Sequence, residues 1–190
     1  MINTPLRILL VDNNTEDVET IILTIQNIVI DPDIKVVNNL NDLASHLQNF
    51  FPDVVISDYN FPGFTGLDVL ELIGSVENSF PLIFITAAIE DEEVAANTIL
   101  AGATGFILKK NMDILDQKLR PLLKKIAFNM GAGREIREKV RRNSIVINQI
   151  YDYLNNIKSD NEEQRLNLEK IKNNIRELGE ENFNKSFGKN

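Results

Sequence analysis

The chain has 190 residues, 43% hydrophobic and 25% charged, which is enough for one α/β domain of ordinary size with an extension and excludes two large domains or general disorder. Its net charge of -8 is uneven, with 8 Lys/Arg against 18 Asp/Glu in residues 1–133 and 12 against 10 in residues 134–190, so the acidic part is not suited to bind nucleic acid. The absence of cysteine excludes disulfides and thiolate metal sites, and the longest apolar run, 82–89 with Thr86 inside it, is too short to cross a bilayer. Met1-Ile2-Asn3-Thr4 lacks the charged-then-apolar layout of a secretion signal, so a soluble, cytoplasmic chain with no membrane contact is expected.

Short runs rich in β-branched residues recur at 7–11, 35–37, 54–57, 82–86 and 105–108. Between them, apolar residues return at helical spacing over 17–29, 40–47, 67–76, 90–101 and 114–128. Strands that alternate with helices and carry almost no polar residues belong in a parallel sheet covered on both faces. The expected fold for residues 1–130 is therefore α/β, a doubly wound, flavodoxin-like five-stranded parallel sheet. In such sheets the ligand sits beyond the carboxyl ends of the strands, so the polar residues ending each strand are the candidate site.

Those residues are Asp12 and Asn13 after the first strand, Asp58 after the third, Thr86 ending the fourth and Lys109 after the fifth. The set suits phosphoryl transfer, which needs charge neutralisation and in-line positioning more than covalent help. Asp58 would supply the attacking carboxylate oxygen, while Asp12, Asp58 and the Asn60 backbone carbonyl offer hard oxygen ligands for Mg²⁺. Lys109 offers an ammonium to one phosphoryl oxygen and the Thr86 hydroxyl can donate to another. A single Asp at a strand end is more often a helix cap or turn residue, so it is the set that carries weight. Glu16 and Asp17, which open the first helix, read as dipole-complementing residues, and His46 lies on the second helix with no charged partner nearby in sequence.

The segments ILLVDNN, VVISDYNFPGFTGLDVL, LIFITAA and AGATGFILKK resemble the receiver domain of response regulators in two-component signalling. The resemblance implies that Asp58 is the phosphoacceptor, that Asp12 and Asn13 occupy the acidic metal pair, and that Thr86 is the switch hydroxyl. It also implies that Lys109 is the site lysine, that Phe106 is the aromatic whose rotamer follows Thr86, and that Pro62 and Gly66 shape the loop after the acceptor. The family usually carries a second acidic residue where this chain has Asn13, and a proline after the lysine where this chain has Lys110-Asn111. Asn13 therefore bears on metal affinity, although an amide oxygen can bind directly or through water. The implied protein is a signalling phosphoacceptor rather than an enzyme. It would use Mg²⁺ and be served by a histidine kinase or histidine phosphotransfer protein. Two alternatives are a non-switching receiver acting as a dimeric adaptor, and the regulatory N-terminal part of a larger kinase or cyclase.

Gly131-Ala132-Gly133 breaks the pattern, and residues 134–178 then read as continuous helix. A 3,4 spacing runs through Ile136, Val140, Asn143, Ile147, Ile150, Leu154, Ile157, Asn161, Gln164, Leu168, Ile171, Ile175 and Leu178. A narrow apolar stripe of that length cannot bury itself, so a coiled coil over 134–180 and a homodimer are expected. The S-x-x-E pattern at 159–162 leaves a second geometry open, two helices folded as a hairpin. The Arg/Lys residues at 134–142 are diluted by Glu135 and Glu138 and read as a solvated face, and residues 181–190 read as a tail.

Overall fold

The structure is a computed structural model that describes residues 1–76, 80–87, 98–131, 134–156, 166, 168–173 and 175. The chain divides into two units, Met1–Gly131 and Ala132–Asn190. In the first, the elements are β1 (Arg7–Val11), α1 (Thr15–Ile28), β2 (Asp33–Val37), α2 (Leu40–Asn49), β3 (Val54–Ser57), β4 (Asn60–Phe61), β5 (Phe64–Thr65), α3 (Gly66–Ser75), β6 (Leu82–Thr86) and β7 (Gly105–Leu108). A 3₁₀ helix, Lys109–Ile114, then leads into α4 (Leu115–Gly131).

The main sheet has the order β2-β1-β3-β6-β7 and every neighbouring pair is parallel. Because side chains alternate across a strand, the apolar runs of β1, β3 and β6 each serve two cores. Ile8, Leu10, Val54, Ile56, Ile83, Ile85 and Ile107 pack with Ile21, Ile25 and Ile28 of α1 and Leu119, Leu123 and Ile126 of α4. Leu9, Val11, Val55, Leu82 and Phe84 pack with Leu43 and Leu47 of α2 and Val69 and Ile73 of α3. Helices thus cover both faces, which makes the domain doubly wound and flavodoxin-like, as its strand pattern predicts. The switch in strand order lies between β1 and β3, and their carboxyl ends open the crevice there.

Local signals set the helix starts. Asn14 caps α1 by accepting the N–H groups of Glu16 and Asp17, so the helix starts at Thr15, two residues before the expected start. At α3, Asp68 Oδ2 accepts from the Thr65 N–H at 2.7 Å and the Thr65 hydroxyl at 2.9 Å; the backbone donor leads in holding the Asp68 carboxyl below its ordinary range. The antiparallel β4–β5 hairpin is unanticipated, because two-residue strands leave no apolar run to detect. Its turn is Pro62-Gly63, with Gly63 at φ 94°, a conformation that favours glycine. Of the helix expected at 90–101, residues 90–97 lie outside the described residues and 98–100 are helical.

Gly66, the first residue of α3, sits against two rings. A Cβ there would overlap the Tyr59 ring and lie 2.7 Å from Cε1 of Phe84. Tyr59 and Phe84 are both buried and meet edge to face at 5.7 Å between centroids. Neither ring can yield without disturbing the core beneath it, so Gly66→Ala is expected to cost about 1–3 kcal/mol of stability, read as a lower urea midpoint at unchanged slope.

The second unit contains α5 (Arg134–Asn156). Glu138 pairs with Arg141 at 2.5 Å and Arg142 at 3.1 Å along this helix, i,i+3 and i,i+4 contacts that offset part of its basic charge. Residue 166, residues 168–173 and residue 175 are also helical. The polar positions Asn161 and Gln164 and the S-x-x-E pattern fall outside the described residues, so the choice between straight coil and hairpin does too. No helix among the described residues is long and apolar enough to cross a membrane.

Candidate phosphoryl site

The ends of β1, β3, β6 and β7 bring the predicted side chains together through backbone ties that come from the sheet itself. The Asp58 N–H donates to Val11 O at 2.9 Å, and the Asp12 N–H donates to Val37 O at 3.1 Å. Both carboxylates therefore leave the sheet at the same level. Asp12 is buried and its Oδ1 accepts the Asn14 N–H at 2.8 Å, which aims Oδ2 inward. Asp58 is likewise buried; its Oδ1 accepts the N–H groups of Tyr59 at 2.5 Å and Asn60 at 3.3 Å.

Lys109, the first residue after β7, joins them. Its Nζ donates to Asp12 Oδ2 at 3.0 Å and Asp58 Oδ2 at 2.7 Å, and the contacts bridge 97 and 51 residues of sequence. A third carboxylate completes the set, since the same ammonium donates to Asp17 Oδ2 at 2.6 Å. Burial by itself would pull the Lys109 ammonium down. The hydrogen bonds to Asp17, Asp58 and Asp12 outweigh it and hold the group well above the ordinary lysine range.

Thr86 is fully buried at the end of β6, with its Oγ1 3.5 Å from Asn60 Nδ2. Asn13 is exposed, as is Asn60. Phe106 is half-buried on β7, tilted against Phe84 with 6.5 Å between centroids, so it lies one strand away from Thr86 in the ladder that pairs β6 with β7. His46 stands apart from this set on α2, with Nδ1 2.8 Å from Asp42 O within its own helix.

Asp17 was read from the sequence as a helix-opening residue only. It does occupy the first turn of α1, but α1 begins directly over the end of β1, and its first turn faces the strand-end crevice. The signal available in the sequence was the three-residue gap between Val11 and Thr15, which leaves α1 no room to start elsewhere. Tyr59 was also missed, because the residue after a strand-end Asp carries no mark of whether it points into a core.

The donor chemistry suits a hard cation. Asp12 and Asp58 present only oxygen atoms, and Lys109 already holds them together as a cation would. Among the described residues no three His, Cys, Asp or Glu side chains surround a common metal position. Two carboxylates supplemented by carbonyl, amide or water oxygens match Mg²⁺, which accepts few protein ligands and keeps its waters.

The family model for the response regulator receiver domain matches residues 8–120. The chain belongs to the response regulator receiver family. The chain is 35% identical over 92 residues to the DNA-binding transcriptional activator EvgA of Escherichia coli K12, a match covering 47% of this chain and 45% of EvgA. It is 32% identical over 79 residues to a cyclic di-GMP phosphodiesterase of Thermotoga maritima, covering 41% of this chain and 21% of that protein. The chain thus spans less than half the length of these curated relatives. Among solved structures, a signal receiver domain from Vibrio parahaemolyticus superposes with a TM-score of 0.58 at 26% identity, covering 66% of this chain and 95% of that one.

Proposed function

We propose that this receiver takes a phosphoryl group onto Asp58 from a histidine kinase or histidine phosphotransfer protein, in a Mg²⁺-dependent step, and signals through the helical segment 134–180. The observation that carries this reading is the meeting of Asp12 and Asp58 on the Lys109 ammonium. A carboxylate oxygen of Asp58 attacks the phosphorus of a phosphohistidine, forming an O–P bond as the N–P bond breaks. The bonding pair stays on the imidazole nitrogen. Asp58 is oriented for this by the Tyr59 and Asn60 N–H groups on its other oxygen.

Lys109 moves from the Asp58 carboxylate to a phosphoryl oxygen and neutralises part of its charge. Asp12, Asp58, the Asn60 carbonyl and Asn13, directly or through water, would hold Mg²⁺, which would supply further neutralisation of the phosphoryl oxygens. The acceptor then carries a charge of about -1.5 to -2. Thr86 turns its hydroxyl toward that charge and Phe106, half-buried beside it, repacks and changes the exposed surface. The apolar spacing in 134–180 makes this segment the homodimer contact, which sedimentation at increasing concentration checks, a persistent monomer counting against it.

The exposed, uncharged Asn13 favours one other reading, an adaptor that keeps the fold and has lost the switch. One experiment separates the two. Incubation with a small acyl phosphate or phosphoramidate and Mg²⁺ is expected to add one phosphoryl group by intact mass, labile to hydroxylamine and absent with a chelator. No mass gain with either donor would overturn the switch in favour of the adaptor.

A further inference from the structure

Three carboxylates share one ammonium at the crevice, and two of them are committed to the chemistry in the reading above, on which this inference rests. Asp58 becomes an acyl phosphate and loses its carboxylate, while Asp12 turns to Mg²⁺. Each of those changes removes a partner from Lys109. Asp17 is the remaining one. Its contact is the shortest of the three, 2.6 Å against 2.7 Å for Asp58 and 3.0 Å for Asp12. It also comes from a different element, the first turn of α1, whose start is pinned by the Asn14 cap, so it does not shift when the β3 end is modified.

We propose that Asp17 is a positioning residue for phosphoryl transfer, its carboxylate anchoring the Lys109 ammonium over the crevice while Asp12 and Asp58 are engaged elsewhere. Asp17 touches neither the phosphoryl group nor the metal in this arrangement; it acts through Lys109. Without the anchor, the lysine side chain regains several rotatable bonds at the moment it must meet one oxygen. Asp17 has a second effect that must be separated from the first. With Asp12, Asp58 and Lys109 it brings the formal charge of the cluster to -2, which favours a divalent cation whatever the lysine does.

Moving the charge distinguishes the two effects. Asp17→Asn removes the charge and leaves only a neutral amide oxygen, a weaker acceptor for the ammonium; Asp17→Glu retains charge and anchor, and the double variant Asn13→Asp with Asp17→Asn restores the charge next to Asp12 without the charge-assisted anchor. The metal readout is the Mg²⁺ concentration giving half of the maximal rise in melting temperature, which needs no phosphorylation. The rate readout is uptake from a small phosphodonor at saturating Mg²⁺. The third readout is acylation of Lys109 by a water-soluble amine reagent in the Mg²⁺-loaded protein, followed by peptide mass.

Asp17→Asn is expected to slow saturated uptake about tenfold, the low end for loss of a supporting hydrogen-bond partner, and to speed Lys109 acylation several-fold. Asp17→Glu recovers both. The double variant recovers the Mg²⁺ midpoint while uptake stays slow and Lys109 stays reactive. If the double variant also recovers the rate, Asp17 acts by charge alone and the positioning role is overturned. If Asp17→Asn leaves Lys109 acylation unchanged, the role is overturned even where the wild-type chain takes up no phosphoryl group, an outcome that defeats only the proposed function.

Discussion

Asp58→Ala is expected to abolish phosphoryl uptake, a fall of at least about 10³ in rate, because among the described residues no second nucleophile stands where the carboxylate does. The neighbouring hydroxyls are unavailable: Ser57 and Thr86 are fully buried, and the Ser57 Oγ donates to the Asp58 carbonyl at 2.6 Å. Asp12 has a fully buried side chain pinned by the Asn14 N–H and by Lys109. Asp58→Asn serves as the companion variant, since its amide oxygen can still accept the Tyr59 and Asn60 N–H groups and so keeps the loop in place. Intact mass after incubation with donor and Mg²⁺ reads the result. A phosphoryl group retained in both variants would move the acceptor away from Asp58 and sink the assignment.

Lys109→Ala is the second large effect, and it has two parts. Uptake is expected to fall about 10²- to 10³-fold, the usual cost of removing one donor from developing oxyanion charge. Stability is expected to fall as well, by about 3 kcal/mol, because the Asp12, Asp17 and Asp58 carboxylates are left facing one another with no cation. Asp12 and Asp58 dominate that figure, with side-chain exposures of 0% and 10% beside 9% for Lys109, whereas Asp17, at 24%, is partly screened by water. Mg²⁺ should recover part of the loss, so urea unfolding with and without the ion checks both halves.

The pH dependence follows from the same contacts. The folded-state value for Lys109 is raised, so its stabilisation is complete below the ordinary lysine value and is lost only as pH rises through the higher folded one. Between pH 6 and 9 the lysine therefore stays charged in both states. Neither uptake nor the urea midpoint should show a falling limb that disappears in Lys109→Ala; such a limb would show a lysine that titrates within that range.

Much of the fold is legible from runs and spacing. Five apolar runs became the five strands of the main sheet; in β1, β3 and β6 alternate residues had two cores to fill, whereas at the β2 edge Val36 is exposed and Val37 alone of the 35–37 run joins a core. The hairpin after Asp58 escaped notice since its strands are two residues long, too short for any period to show. Helix ends moved by a few residues where a cap decided them. Asn14 starts α1 at Thr15 through two backbone N–H groups, and apolar spacing is blind to such bonds.

Asp12, Asp58, Thr86 and Lys109 could be singled out beforehand because each lies at the end of a strand, and parallel strands put those ends on one edge. That inference needs only local pattern and the rules of sheet topology. Which carboxylates share the lysine is a different matter. Three acidic residues, two of them at strand ends and one on α1, meet one ammonium because the crossover from β1 drops the first turn of α1 over the crevice that β7 also reaches. Likewise, the packing of Gly66 beneath Tyr59 and Phe84 depends on how α3 docks on the sheet. Periodicity records which side of an element is apolar; it carries no information about which atoms on different elements come within hydrogen-bond distance, and only the folded chain decides that.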